Sequence, residues 1–291
     1  MSIKKKIRVL VVDDSLLFRE AIVRGLSNDA GIEVVGSAQD AFSARDKILE
    51  LEPDVMTLDV EMPKMSGVEF LKKLMPQYPL PVVMVTSLSS SLFDALNAGA
   101  VDFVSKPDID SKDDIPSFIN ELIIKVKIAS TAKVGHHKKE LRETTNLSGR
   151  SFSDRNTIVA IGASTGGTEA TLEVIKNLPR EMPGIVIVQH MPPVFTKMYA
   201  DRLNNICKIE VKEARDGDEV LPGRALIAPG SFQMQLIKKQ GRYFVKCFEG
   251  EKVNGHCPSV DVLFDSVASV AKENAIGIIL TGMGNDGAKG L

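Results

Sequence analysis

The sequence contains no tryptophan, and aromatic residues make up only 5% of its 291 positions. It has three cysteines, Cys207, Cys247 and Cys257, whose odd number and irregular spacing fit neither a disulfide framework nor a zinc site. We therefore interpret them as reduced thiols of a cytoplasmic protein. No apolar stretch approaches the roughly 18 residues that a membrane span requires, so no membrane insertion is expected. The basic amino-terminal residues lead into a short strand rather than a signal peptide.

The chain also lacks a large excess of either charge, because its formal net charge is -2. An extensive nucleic-acid interface requires a basic surface, so we expect no nucleic-acid partner. The content of 44% hydrophobic and 25% charged residues is typical of soluble globular proteins. A chain of this length is sufficient for about two domains, each with its own core.

Apolar runs alternate with amphipathic stretches in both halves of the chain, which predicts parallel sheets covered by helices. We expect two doubly wound α/β domains, a flavodoxin-like domain over residues 1–124 and a Rossmann-like domain over residues 156–291. Between them, the polar and basic segment 125–155 predicts a linker that is helical only at its start. Its adjacent histidines, His136 and His137, are interpreted as solvated linker residues rather than metal ligands.

Three aspartates of the first domain follow predicted strands: Asp13 and Asp14 follow "VLVV", and Asp59 follows "VMTL". Doubly wound topology places the first and third strands side by side, so the three carboxylates meet at one sheet edge. Their mutual repulsion predicts a hard divalent cation, and Mg²⁺ suits such oxygen ligands. Taken singly, each aspartate also fits a helix cap or a turn.

Thr86 and Lys106 end two further predicted strands of this domain. A hydroxyl and an ammonium beside a metal-bound carboxylate would hold the oxygens of a phosphoryl group on Asp59. Considered one at a time, Thr86 could also be an ordinary buried hydroxyl, and Lys106 could be a solvated residue at the end of a strand. The coincidence of all these groups at one edge favours the phosphoryl site.

These residues stand in "VLVVDDS", "PDVMTLDVEMPKMSG", "MVTS" and "GAVDFVSKP", which resemble a response-regulator receiver domain. The stretch "MTLDVEMPKMSGVEFL" is more narrowly similar to the receivers of chemotaxis methylesterases. The resemblance implies that Asp59 accepts the phosphoryl group and that Asp13 and Asp14 bind Mg²⁺ with it. It also implies that Thr86 and Lys106 contact the phosphoryl group and that Phe103 is the aromatic switch residue.

In the second domain, the stretch "VAIGASTGG" over residues 159–167 places a Gly-rich turn between a strand and a helix. Such a turn binds phosphate or presents a nucleophilic serine, here Ser164. The turn lacks the spacing of the nucleotide-binding glycine motifs. His190 ends the next strand, where a neutral imidazole would take the hydroxyl proton of Ser164. Asp286, in "LTGMGNDGAKG", would orient that imidazole, although it also fits a helix N-cap at "GAKG".

The stretches "IGASTGGTEA", "VIVQHMPPVFTKMYADRLN", "HCPSVDVLFDSVA" and "GIILTGMGNDGAKGL" resemble the catalytic domain of chemotaxis protein-glutamate methylesterases. The resemblance implies that Ser164 is the nucleophile, His190 the base and Asp286 the orienting acid. The backbone N–H of Met283 is then the candidate oxyanion donor. Thr165 and His256 are candidate substrate contacts, and the resemblance makes Cys257 a bystander rather than a nucleophile.

The resembled family continues for several dozen residues beyond the position of Leu291, so this catalytic domain is C-terminally incomplete relative to it. We expect some bare apolar surface and a poorly anchored Asp286 as a result.

The sequence thus predicts a cytoplasmic, phosphorylation-activated hydrolase. It would remove methyl esters from glutamates of chemoreceptors, and deamidate receptor glutamines, under a histidine kinase of the chemotaxis pathway as phosphodonor. Two alternatives remain. In one, a receiver is coupled to a non-catalytic nucleotide- or partner-binding module, with His190 structural. In the other, the output is DNA binding, which the near-neutral charge disfavours.

The long linker suggests that the two strand-end edges face each other and that the receiver covers the serine. Phosphorylation of Asp59 adds about -1.5 to -2 charge and would uncover the site. Without a phosphodonor, residues 150–291 should therefore hydrolyse ester faster than the whole chain. Initial rates of methanol release measure this difference, and equal rates would contradict occlusion.

Overall fold

The computed structural model describes residues 5–87, 92–107, 114–132, 134, 156–282 and 284–291. The chain forms two compact units, residues 1–142 and 143–291. Within the described residues, we find no helix with the length and apolar character needed to cross a membrane.

The first unit alternates strands and helices along the chain. Its described elements are β1 (Ile7–Val12), α1 (Leu16–Ser27), β2 (Ile32–Ala38), α2 (Ala41–Leu51), β3 (Val55–Asp59), α3 (Gly67–Leu74), β4 (Val82–Thr86), α4 (Leu92–Asn97), β5 (Asp102–Ser105) and α5 (Ile115–Ala129). The strands form one parallel sheet in the order β2-β1-β3-β4-β5. This order confirms the predicted doubly wound fold of the first unit.

Local sequence explains where these elements begin. The α2 and α3 helices each start with a reciprocal capping box, formed by Asp40 with Ser43 and by Ser66 with Glu69. Every residue of β3 and β4 is buried, as expected for strands that helices cover on both faces. The apolar side chains of these strands therefore form the centre of the core.

The last helix, α5, ends at Ala129, so the first five residues of the predicted linker, 125–129, are helical. This agrees with the prediction that the linker is helical at its start. His136 and His137, with most of that segment, lie outside the described residues. The domain boundaries remain a prediction.

The second unit repeats the alternation. Its elements are β6 (Ile158–Ala163), α6 (Gly167–Ile175), β7 (Gly184–Gln189), α7 (Phe195–Ile206), β8 (Glu210–Glu213), β9 (Arg224–Ile227), β10 (Gln233–Lys239), β11 (Arg242–Phe248), α8 (Val260–Ala271) and β12 (Ala275–Ile279). Five strands form a parallel sheet in the order β12-β6-β7-β9-β8. The order confirms the second predicted parallel sheet, and it puts β6 between β7 and β12.

The remaining strands, β10 and β11, form the predicted antiparallel hairpin, which turns at Gln240–Gly241. Buried residues of the hairpin and of α8 share one core cluster with β6 and β7. The helix α8 thereby connects the hairpin to the parallel sheet.

Gly67 opens α3 directly against the strand end that carries Asp59. Its N–H donates to the carbonyl oxygen of Val60 at 2.9 Å. A β-carbon on Gly67 would lie 1.9 Å from the carbonyl oxygen of Asp59. Because that oxygen belongs to the backbone, a side chain at Gly67 would displace the residue that carries the candidate phosphoryl acceptor.

The substitution Gly67→Ala should lower the free energy of unfolding by about 2 kcal/mol or more, because the clash strains the backbone. Urea unfolding measures the change. Gly31→Ala is the matched control, because its nearest neighbour is a movable side-chain oxygen of Asp29 at 3.2 Å. Equal stability of the two variants would contradict the packing argument.

Candidate functional site

In the first unit, carboxylates from two adjacent strands meet at the carboxyl edge of the sheet. Asp13 follows β1 and Asp59 ends β3, and these strands are hydrogen-bonded neighbours. One carboxylate oxygen from each of Asp13, Asp14 and Asp59 lies within 4.8 Å of the others. Asp13 and Asp59 are buried, whereas Asp14 is exposed. The predicted cluster is therefore assembled.

Lys106 follows β5 and contacts this cluster. Its Nζ lies 2.6 Å from Oδ2 of Asp59 and 2.9 Å from Oδ2 of Asp13. Burial raises the pKa of Asp59 to about 6, although the bond to Lys106 opposes the shift. Burial also raises the pKa of Asp13. For Lys106, burial opposes the charged form, but the bonds to Asp59 and Asp13 outweigh it and raise the pKa.

One ammonium does not neutralise three carboxylates, and all the donors are hard oxygens. A divalent cation such as Mg²⁺ fits this donor set, because it would relieve the repulsion that helps to keep the pKa of Asp59 high.

The two predicted switch residues lie on neighbouring strands. Thr86 is fully buried, and its hydroxyl donates to the carbonyl oxygen of Ser87 at 2.6 Å. Phe103 is buried on β5, with Nζ of Lys125 lying 5.0 Å from its ring centroid. The Thr86 hydroxyl is thus paired with its own backbone segment, and any switching role of these residues remains a prediction.

In the second unit, Ser164 lies in the turn between β6 and α6. Its carbonyl oxygen accepts the N–H of Gly167 at 2.7 Å. Gly166 takes a left-handed conformation at the start of α6, with φ of 72°. A β-carbon on Gly167 would lie 2.2 Å from Oε1 of Gln189. The two glycines therefore let the chain turn sharply and hold the serine at the sheet edge.

His190 follows β7, which pairs with β6, so its ring reaches the serine from the adjacent strand. Nδ1 of His190 lies 3.1 Å from Oγ of Ser164, and Nε2 lies 2.7 Å from Oδ2 of Asp286. An ionised carboxylate only accepts hydrogen bonds, so Nε2 carries the proton and Nδ1 is left to accept one. The structure thus brings the three predicted residues into one hydrogen-bonded row.

Asp286 is held by several donors besides His190. Oδ1 accepts bonds from the hydroxyl of Ser259 at 2.7 Å and from the side-chain amide of Asn254 at 2.9 Å. The backbone N–H of Val260 donates to Oδ2 at 2.7 Å, and that of Asp261 donates to Oδ1 at 3.2 Å. Burial by itself would raise the pKa of Asp286, but the bond from His190, together with these donors, outweighs it and holds the pKa well below its usual range.

Comparison with known proteins identifies the family of this chain. Residues 159–291 match the family described as CheB methylesterase, and residues 9–115 match the response regulator receiver domain. The chain is 60% identical over 289 residues to protein-glutamate methylesterase/protein-glutamine glutaminase 2 of Syntrophomonas wolfei, covering 99% of this chain and 84% of that protein. The chain belongs to the protein-glutamate methylesterase/protein-glutamine glutaminase family.

A second member of this methylesterase family, from Syntrophotalea carbinolica, is 54% identical over 296 residues, covering 99% of this chain and 84% of that protein. A crystal structure of the CheB methylesterase catalytic domain of Thermotoga maritima is 47% identical. It covers 46% of this chain and 71% of that chain, with a TM-score of 0.45.

Sequence reasoning missed two of the residues that hold the acid in this family member, Asn254 and Ser259. Asn254 lies in a turn with φ of 52° and bridges two carboxylates, since its amide also donates to Oδ2 of Asp261 at 2.7 Å. Ser259 is the N-cap of α8 and donates to Asp286. The "SVD" ahead of an apolar helix signalled a cap, but the sequence offered no sign that the cap also binds a distant carboxylate.

His256 stacks on His190, and its predicted substrate contact stays a prediction. The ring centroids are 3.6 Å apart, and the planes are 10° from parallel. Burial, and then the neighbouring His190, lower the pKa of His256. A neutral His256 packs against the base without placing a second positive charge beside it. Thr165 is buried, and its predicted substrate contact stays a prediction.

One expectation about Asp286 was wrong. The carboxylate is not poorly anchored, because four donors besides His190 hold it. The alternative interpretation as a helix N-cap at "GAKG" is not seen, since the described residues 284–290 form bends and turns. The carboxylate oxygens bind the first N–H groups of α8, where the helix dipole favours an anion. On β12, Ile276 and Ile279 are 47% and 41% exposed.

A small cavity of about 70 Å³ opens over the triad. Its lining includes Ser164, His190 and Asp286 together with Gly282 and Gly284 of the loop that follows β12. A β-carbon on Gly282 would lie 2.7 Å from the β-carbon of Ser164, so the loop backbone lies close to the nucleophile. Met283, the predicted oxyanion donor, lies outside the described residues.

The depressed pKa of Asp286 predicts a pH-dependent contribution to stability. That contribution is complete above the unfolded pKa, near 3.8, and is lost as pH falls towards the lower folded value. The stability advantage of the wild type over Asp286→Asn should therefore shrink below pH 4. A tenfold change in the acid dissociation constant between the folded and unfolded states corresponds to about 1.4 kcal/mol.

Urea unfolding at a series of pH values measures this difference. Asp201→Asn is the control, because Asp201 is an exposed residue of α7 whose side chain is 57% accessible, and exposed ion pairs contribute little. A difference between wild type and Asp286→Asn that stayed constant down to about pH 2 would refute the role given to the carboxylate.

Proposed function

We propose that this chain is a serine hydrolase that removes methyl esters from glutamate side chains of chemoreceptors and deamidates receptor glutamines. The observation that carries the proposal is the row formed by Oγ of Ser164, the His190 ring and Asp286, with separations of 3.1 and 2.7 Å. A serine, an imidazole and a buried carboxylate in this order are the parts of a catalytic triad.

In the first step, Oγ of Ser164 attacks the carbonyl carbon of the ester while Nδ1 of His190 takes the hydroxyl proton. The resulting imidazolium is stabilised through Nε2–H by Asp286, which is held as an anion. His256 is stacked on the ring and its pKa is lowered, so His256 does not add a positive charge beside the imidazolium.

In the second step, the imidazolium returns the proton to the leaving oxygen and methanol departs, which leaves a glutamyl ester on Ser164. Water then attacks that ester, with His190 again removing a proton, and the serine and a glutamate carboxylate are released. With a glutamine substrate, ammonia leaves in place of methanol and the later steps are the same.

The negative charge that develops on the carbonyl oxygen requires N–H donors near Ser164. The loop of Gly282 and Gly284 lines the cavity beside the serine and supports such a role. Met283 stands between these glycines, and its N–H is the proposed donor. One such donor is worth about 3 kcal/mol in the transition state.

The first unit is proposed to control the reaction through phosphorylation of Asp59 by the histidine kinase of the chemotaxis pathway. Asp13, Asp14 and Asp59 would hold Mg²⁺, which would supply positive charge for the incoming phosphoryl group. Lys106 already contacts Oδ2 of Asp59 and is placed to bind a phosphoryl oxygen.

The alternative of a receiver joined to a non-catalytic phosphate-binding module is not supported. A phosphate-binding turn would not require His190 to approach Ser164 or to bond to Asp286, and both contacts are present. The family to which the chain belongs also consists of proteins named as hydrolases.

Replacing Ser164 with alanine should lower methanol release by at least about a thousandfold, because the attacking oxygen is removed. Release from a radiolabelled methylated receptor, with a small-molecule phosphodonor present, measures the rate. Cys257→Ala is the matched control and should retain activity within about twofold, because the Cys257 thiol has no role in the proposed steps. Undiminished release by Ser164→Ala would exclude this serine as the nucleophile.

A further inference from the structure

The β10–β11 hairpin carries a concentration of positive charge that the catalytic steps do not use. Residues 233–248 include four lysines or arginines and no acidic residue, in a chain whose net charge is -2. The four are Lys238, Lys239, Arg242 and Lys246, and all are exposed. The hairpin is therefore a local cationic surface on a protein that is slightly acidic as a whole.

The two faces of the hairpin differ. One face carries Met234, Leu236, Tyr243 and Val245, which are buried in the core cluster shared with α8. Because side chains alternate along a strand, the intervening residues form the opposite face. We call this opposite face, with its cross-strand pairs Gln235–Lys246, Ile237–Phe244 and Lys239–Arg242, the outer hairpin face.

Half-buried apolar residues lie at the centre of the outer hairpin face, and cations lie on both sides of them. Ile237 and Phe244 form the central pair, between Lys246 on one side and the Lys239–Arg242 pair at the tip. The guanidinium carbon of Arg242 lies 5.7 Å from the Phe244 ring centroid. An apolar centre with a polar rim is the usual anatomy of a protein-binding surface.

One end of β10 contacts the segment that supports the catalytic acid and base. Gln233, on the same face of β10, donates through Nε2 to the carbonyl oxygens of Glu251 and His256 at 2.9 and 3.4 Å. Its Oε1 accepts the N–H of Ser259 at 2.9 Å. His256 stacks on the base and Ser259 binds the acid, so this end of β10 supports the segment that contacts both. Lys239, at the tip of the hairpin, is six strand intervals, about 20 Å, from Gln233.

We propose that the outer hairpin face docks the acidic surface of the chemoreceptor substrate and so positions its esterified glutamates at Ser164. The inference rests on the proposed function and names where the substrate binds. Each turnover converts a neutral ester or amide into a carboxylate, so a substrate with several such sites becomes more anionic as it is processed. A cationic surface on the same unit as the triad, connected to it through Gln233 and the segment of His256, complements this charge.

Acidic residues border this surface, because Glu219 forms an antiparallel bridge with Phe244 and the exposed Glu249 and Glu251 follow β11. Glu219 approaches Arg242 at 3.4 Å, but the Arg242 side chain is 61% exposed. Exposed pairs of this kind contribute little and exchange readily for a stronger partner.

The test compares the full-length double variant Lys239→Glu/Arg242→Glu with a matched control, Arg180→Glu/Lys208→Glu. The control also replaces one exposed lysine and one exposed arginine of the same unit, and its residues lie outside the hairpin. Two measurements are made with a purified receptor cytoplasmic fragment. One is methanol release from the methylated fragment with a small-molecule phosphodonor. The other is binding of the demethylated fragment in a Ser164→Ala background.

In about 50 mM salt, the hairpin variant should raise KM and Kd about tenfold, leave kcat within about twofold, and lose most of this difference near 500 mM salt. The rate at which a fluorophosphonate labels Ser164 should be unchanged, because that probe needs no docking surface. KM and Kd equal to those of the control would overturn the proposal.

These measurements distinguish failure of the docking proposal from failure of the proposed function. If the wild type released no methanol, the proposed function would fall, while the Kd comparison would still decide whether the face docks the receptor fragment. If the hairpin variant bound the fragment normally but lost affinity for a short single-stranded oligonucleotide, the docking proposal would be overturned in favour of nucleic-acid binding.

Discussion

The architecture of the catalytic unit depends on the Asp286 carboxylate. It joins the base to the amino end of α8, because it accepts one bond from His190 and others from Ser259, Val260 and Asp261. A buried carboxylate is costly unless it is fully hydrogen-bonded. The donors that satisfy it are spread over the segment from Asn254 to α8, so the fold of that segment and the charge state of the acid stabilise each other.

The segment that supplies donors to Asp286 also carries His256. Asn254, His256 and Ser259 lie within six positions; Asn254 and Ser259 both donate to Oδ1 of Asp286, and His256 stacks on His190. Gln233 fixes the backbone of this segment from the hairpin. The acid and the base are therefore supported by one continuous segment, which itself contacts β10 through Gln233. Substrate docking on the hairpin, as proposed, would act on the same support.

The two units follow one principle. Each places reactive side chains at the carboxyl edge of a parallel sheet, where strand ends from distant parts of the chain converge. In the first unit the convergence brings carboxylates and a lysine together, and burial raises the pKa of Asp59 to about 6. In the second, the same convergence lowers the pKa of Asp286, because hydrogen-bond donors outnumber the acids there. The local donors, and not the sheet edge itself, decide the direction in which each pKa moves.

Periodicity and strand-end position determined a large part of this result. Buried strands and amphipathic helices are encoded in spacing along the chain, so the parallel sheets and the hairpin were predictable, and Ser164, His190 and Asp286 could be named because each ends or follows a strand. The tertiary structure decided what lies around them. Only the tertiary structure showed that Ser259 and Asn254 donate to Asp286 and that His256 stacks on His190. It also showed that Asp286 binds the start of α8 rather than the residues that follow it. These contacts join residues tens of positions apart, and hydrogen bonding and stacking at such distances leave no periodic signal in a sequence.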